Sequence, residues 1–215
     1  MSVELELCGQ RLLLRPDRTL LWAEERTLIV ADPHFVKADA FRAFGVPVPG
    51  GADETGARLA AALDGTGAGR LVVLGDFWHA TAGRTDELLE QLARWKAERP
   101  SLAVDLVRGN HDRAGPPPPG WGDWHAELID PPFAFAHLPE PSPAGYTLAG
   151  HLHPGVLLFG RGRQRLKLPC FRFGGRVGVL PAFGGFTGLA AAVPRPGEWV
   201  FAVADGNVID VSVAG

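Results

Sequence analysis

What most restricts the fold of this chain is where its chemistry falls. Five short fragments of metal-ligand residue types recur along it: Asp32-Pro33-His34, Gly75-Asp76, Gly109-Asn110-His111-Asp112, the isolated His137, and Gly150-His151-Leu152-His153. Each begins where an apolar run stops. The runs are Leu28-Ile29-Val30-Ala31, Leu71-Val72-Val73-Leu74, Val104-Asp105-Leu106-Val107, Phe133-Ala134-Phe135-Ala136 and Tyr146-Thr147-Leu148-Ala149. Short, mostly apolar and punctuated by Gly or Pro, they read as buried strands. The polar residues therefore stand at strand ends. In α/β proteins, ligand sites lie outside the carboxyl ends of strands, where residues distant in sequence converge on one small volume. A metal site needs that convergence.

The segments between these runs supply the rest of the architecture. Val3 to Leu7, Arg11 to Leu14 and Thr19 to Trp22 read as strands of an antiparallel edge, separated by turn material at Cys8-Gly9-Gln10 and Arg15-Pro16-Asp17. Val36 to Phe44 is a candidate short helix stopped by Gly45, and Asp53 to Leu63 an Ala-rich one ended by Gly65, with a Val46 to Gly51 loop between. Thr85 to Glu98 is the clearest helix: Asp86 and Glu87 suit its first turn, Leu88, Leu92 and Trp95 form an apolar stripe, and Pro100 follows. Strand, helix and strand in succession up to Asn110 imply βαβ units and a parallel core. From Phe133 onward, short strands with Gly and Pro turns point to a more antiparallel second sheet. It ends in the pair Glu198 to Val203 and Val208 to Val213 around Asp205-Gly206-Asn207.

The bulk figures exclude several classes. A length of 215 residues suits one domain over 1–215, and 46% hydrophobic with 21% charged residues argues against a disordered or fibrous chain. No apolar stretch approaches membrane-spanning length, and the acidic opening Met1-Ser2-Val3-Glu4-Leu5-Glu6 is unlike a secretory signal, so a cytoplasmic address is expected. Cys8 and Cys170 are too few for a disulfide framework or a thiolate metal site. A formal charge of -3 does not suit holding nucleic acid by general electrostatics, so any such binding must be local.

Taken in order, Asp-x-His, Gly-Asp, Gly-Asn-His-Asp, His and Gly-His-x-His, each after an apolar run, resemble the calcineurin-like metallophosphoesterase superfamily with every ligand position filled. The match spans Asp32 to His153. The resemblance implies an α/β fold, a four-layer αββα sandwich of two mixed sheets flanked by helices. It also implies two divalent metal ions: Asp32, His34 and His153 on one, Asn110, His137 and His151 on the other, and the Asp76 carboxylate bridging them. Imidazole and carboxylate without thiolate suit Mn, Fe or Zn, and two carboxylates against two divalent ions leave positive charge for a phosphate. The implied reaction is in-line attack of a metal-bridged hydroxide on phosphorus, with His111 protonating the leaving oxygen. Asp112 either orients the His111 ring or caps its own loop.

Within the superfamily, Leu168-Pro169-Cys170-Phe171 and the Leu180 to Gly188 segment resemble the small bacterial ligase-associated DNA damage response metallophosphoesterases. That group implies a manganese-dependent phosphodiesterase or endonuclease acting on DNA, in association with a DNA ligase, a nuclease and a helicase. His79, three residues after Asp76, either contacts phosphate, orients Asp76, or packs. Arg161, Arg163, Arg165 and Lys167 alternate, so on a strand they share one face, suited either to a phosphate backbone or to a charged edge that resists aggregation. Phe77 and Trp78 stack on bases or pack under the sheet. Two rivals stand beside this reading: a phosphomonoesterase or nucleotide pyrophosphatase on a small molecule, and a non-catalytic protein-binding scaffold.

Overall fold

The apolar runs fold as strands, and alternation along each decides which layer its side chains enter. The computed structural model describes residues 1–35, 52–78, 84–159, 162, 165–185 and 187–213. The expected helix at Val36 to Phe44, the Val46 to Gly51 loop, His79, Arg161 and Arg163 lie outside these.

The first sheet contains β1 (Val3–Leu7), β2 (Gln10–Leu14), β3 (Leu20–Trp22), β4 (Thr27–Val30), β5 (Arg70–Leu74), β6 (Ala103–Val107) and β7 (Trp124–His125), side by side in that order. β1 to β4 pair antiparallel, and β4 to β7 parallel. The second sheet contains β8 (Leu128–Asp130), β9 (Phe133–Ala136), β10 (Tyr146–Ala149), β11 (Pro154–Phe159), β12 (Arg165–Phe173), β13 (Val177–Val179), β14 (Ala190–Ala192), β15 (Trp199–Ala204) and β16 (Asn207–Asp210). Its hairpins are antiparallel, as the Gly and Pro turns suggest, but β9, β10 and β13 pair parallel. The parallel pairing has a consequence for the site, because β9 and β10 then end at the same edge.

Ile29, Val72 and Leu74 point into the layer between the sheets, where they meet Phe133, Phe135, Leu148, Phe171 and Phe173. Trp22 packs edge-on against Phe133 there, with ring centroids 5.0 Å apart. Leu28, Val30, Leu71 and Val73 point the other way, against α1 (Ala52–Thr66) and α2 (Asp86–Ala97). α1 runs past Gly65 to Thr66 and stops at Gly67, whose φ of +61° suits a residue without Cβ. In α2 the Thr85 side chain caps the first turn by accepting the Leu88 N–H, and Leu88 and Leu92 are buried. Trp95 ties the helices together, donating to the Gly56 carbonyl at 3.0 Å and stacking on Trp121.

The expected α/β sandwich of two mixed sheets is therefore present. Both described α-helices cover the first sheet. The outer face of the second carries a smaller apolar cluster of Val156, Cys170, Val200 and Ala202. Among the described residues no helix is long and apolar enough to cross a membrane.

Candidate metal centre

Each fragment singled out in the sequence leaves a strand at the same edge: Asp32 and His34 after β4, Asp76 after β5, Asn110 and His111 after β6, His137 after β9, and His151 and His153 after β10. Turning side chains inward so soon after a strand strains the backbone. Nine described non-glycine residues have positive φ, and five of them are Asp32, His34, Asp76, His151 and His153, at +46° to +69°. Residues held in this region each cost on the order of 1–3 kcal/mol and persist only where the surroundings over-determine them, which happens at functional sites. The glycines beside them answer to crowding. A Cβ at Gly109 would collide with the Asp76 backbone nitrogen and Oδ1, and one at Gly150 would lie 2.7 Å from Asp32 Oδ2.

The loops are stitched to one another across strands and across sheets. His34 donates its N–H to the Asp76 carbonyl at 3.1 Å, and His111 its N–H to Asp76 Oδ1 at 3.0 Å. His151, from the second sheet, donates its N–H to Asp32 Oδ2 at 2.9 Å on the first. Phe183 and Gly184 donate to the Ala31 and Asp32 carbonyls at 2.8 and 3.1 Å, which is how the Leu180 to Gly188 segment supports the site.

Two clusters result, Asp32 with His34 and His153, and Asp76 with His137 and His151. Within each, the ligand-type atoms all lie within 4.8 Å of one another. Asn110 joins the second, its Oδ1 2.9 Å from His137 Nε2. Asp32 and Asp76 are almost wholly buried, 0% and 3% exposed, and buried carboxylates need compensating charge.

The donor set itself calls for cations. His137 donates Nδ1–H to the Leu74 carbonyl at 3.0 Å, which leaves the lone pair on Nε2. That lone pair faces Asn110 Oδ1 at 2.9 Å, His151 Nδ1 at 3.1 Å and Asp76 Oδ1 at 3.4 Å. In the first cluster His34 Nε2 and His153 Nε2 face each other at 3.4 Å, and the latter lies 3.7 Å from Asp32 Oδ2. A single proton can bridge one such pair, whereas a divalent ion turns a whole set of converging lone pairs into ligands. Burial, and then the neighbouring His137, push the His151 pKa down and favour its neutral, ligating form. The two Asp/His clusters fit a dinuclear metal site.

Around this centre the other singled-out residues take different places. The His111 ring is partly exposed, its Nε2 3.9 Å from Asp76 Oδ2, and it packs edge-on to His34. Asp112 is 1% exposed and accepts three backbone N–H groups, from Gly109 at 2.7 Å, Trp78 at 2.9 Å and Phe77 at 3.3 Å. That is the loop-capping role. Burial raises its pKa, opposed by the bonds from Trp78 and Gly109. Phe77 and Trp78 are fully buried, Phe77 stacked on Phe35, so they pack instead of meeting bases. Arg165 and Lys167 begin β12: Arg165 lies over the Phe159 ring, and Lys167 donates to the carbonyl of Leu189, whose neighbour Ala190 donates its N–H to the His153 carbonyl at 3.0 Å.

A cavity of about 470 Å³ opens beside Asn110 and His137, lined also by Arg108 and Arg113. Sequence reasoning passed over these two arginines, although they flank Gly109-Asn110-His111-Asp112 directly.

Two mixed sheets that deliver paired Asp/His clusters to one edge define a phosphoesterase built for two metal ions. Residues 25–170 match the family model described as calcineurin-like phosphoesterase, and the chain belongs to that family. It is a metal-dependent phosphoesterase. A Pseudomonas putida nuclease, MPE, has a similar crystal structure: TM-score 0.84, 34% identity, covering 98% of this chain and 100% of that one. Yfce, a phosphoesterase from E. coli, matches at 15% identity over 87% of this chain and 98% of its own, with a TM-score of 0.39, too low to bear on the argument. No curated protein sequence matches the chain.

Proposed function

We propose that this protein is a binuclear-metal phosphodiesterase that cuts DNA as an endonuclease in DNA repair. The observation that carries the reading is the pair of Asp/His clusters on neighbouring loops, each with its ligand-type atoms within 4.8 Å. The full-length likeness to a nuclease directs it toward nucleic acid.

In this reading Asp32, His34 and His153 hold one ion and Asn110, His137 and His151 the other. Asp76 would serve both, because a carboxylate alone offers two anionic oxygens to two cations. Manganese is the ion proposed, with Fe or Zn compatible with the same ligands. When bound, the ions supply positive charge at the phosphate and a water acidified toward neutral pH.

The chain supplies the rest. His111 is fixed through its backbone N–H on Asp76 Oδ1, with its ring half in solvent, where a leaving oxygen can reach it. It gives a proton to that oxygen as the P–O bond breaks, so the strand leaves as an alcohol. Asp112 anchors the start of the His111 loop by accepting the Gly109 N–H.

The decisive experiment loads the protein with manganese and assays linear DNA, supercoiled plasmid, cyclic nucleotides, nucleoside diphosphates and sugar nucleotides. Nicking of plasmid that falls to background in Asp76→Asn is the expected result. Turnover confined to the small substrates would establish a phosphomonoesterase or pyrophosphatase, and metal-independent inertness on all of them a scaffold.

A further inference from the structure

The 470 Å³ cavity beside Asn110 and His137 does not stand alone. A second, of about 430 Å³, is walled by Pro116, Pro117 and Trp124. Arg108 and Arg113 line both and therefore stand between them. Both arginines are exposed, and among the described residues neither forms an ion pair. The Arg108 guanidinium instead lies over the Trp124 ring, 5.9 Å from its centroid.

Charge is distributed unevenly along this path. The first cavity has apolar walls at Ala126, Ala136 and Leu138 with Glu127 and Glu140 beside them, and the second has Asp123. Cations on the ridge with acidic and apolar cavity walls sort a polymer by its parts, sending phosphate to the ridge and uncharged nucleoside to the cavities. A free polyanion filling either cavity would meet carboxylates. Each volume lies in the range that takes a small organic ligand, enough for one nucleoside.

Resting on the phosphodiesterase reading above, we propose that Arg108 and Arg113 hold the phosphate next to the scissile one. The intervening nucleoside fills the first cavity and the following one lies against Trp124 in the second. The arginines are thus specificity-determining residues that favour a chain of nucleotides over an isolated diester. Guanidinium forks match phosphate oxygens in pairs, which gives such a site both grip and register.

The test uses thymidine carrying a 4-nitrophenyl phosphate on its 3′ oxygen, with and without a 5′-phosphate, and the mirror pair, the 5′ ester with and without a 3′-phosphate. In the manganese-loaded full chain the second phosphate should raise kcat/KM roughly tenfold in one polarity, the scale of a charge-assisted contact. Arg108→Ala with Arg113→Ala should bring that ratio to near one, and the Arg108→Lys, Arg113→Lys pair should retain part of it. A wild-type ratio near one in both polarities, or a ratio that survives the alanine pair, overturns the proposal. If no nitrophenyl ester is cleaved at all, the phosphodiesterase reading fails and takes this proposal with it.

Discussion

In the proposed reaction the ring of His111 has to meet two demands: a fixed address beside the metal centre and contact with solvent for reprotonation. The first comes from its backbone bond to Asp76 and the second from a side chain 42% exposed. His111→Ala should lower cleavage of DNA, whose leaving alkoxide needs a proton, by about a hundredfold. Cleavage of a nitrophenyl diester, whose phenolate leaves unaided, should fall far less, and equal losses in the two assays would remove the acid role. Asp112 serves a different end, since its oxygens satisfy three N–H groups of two loops. Asp112→Ala orphans all three, at a cost on the order of 3 kcal/mol. Urea unfolding measures this, and a loss well under 1 kcal/mol would show that the loops keep their shape unaided.

Elements contribute by where they stop. β4, β5 and β6 are parallel, as are β9 and β10, so five carboxyl ends share one edge although the chain between them wanders widely. The site's precision comes from strand ends; the helices supply the apolar cover beneath. α2 illustrates the division. Its cap at Thr85 supports a helix whose Leu88 and Leu92 pack under the sheet. Thr85→Ala should cost about 1 kcal/mol and a few degrees in Tm. The kcat of the protein assayed with manganese should be preserved, and a matching loss of kcat would tie the helix to the chemistry instead.

Across the whole molecule, the centre joins the two sheets: His137 Nδ1 of the second donates to Leu74 O of the first, and His151 N–H to Asp32. A bound ion should therefore stabilise the sandwich as well as arm it. At free metal a hundred times Kd, one site contributes about 2.7 kcal/mol. Chelation should lower Tm and manganese restore it, with the response lost in a protein carrying both Asp32→Asn and Asp76→Asn. A Tm indifferent to chelator would mean that the clusters hold no cation tightly.

The strands were legible because apolar runs of four or five residues between Gly and Pro leave few alternatives, and Phe133–Ala136 and Tyr146–Ala149 were read to the residue. The two Asp/His clusters were legible because His and Asp at strand ends serve no core, and the family motif fixes their order. Pairing direction was not: the strands from Phe133 onward suggested a more antiparallel sheet, whereas β10 pairs parallel with β9 and with β13, which lies farther along the chain. Asp112 was open for a related reason. Sequence shows that it follows His111, but only packing shows Phe77, Trp78 and Gly109 offering it their N–H groups. Residue types and their spacing along one strand are local properties, and they determined the chemistry available to this protein. Which residues share a volume is a property of the folded chain, and tertiary structure alone decided that Arg108 and Arg113 stand between two cavities, the first of them beside Asn110 and His137.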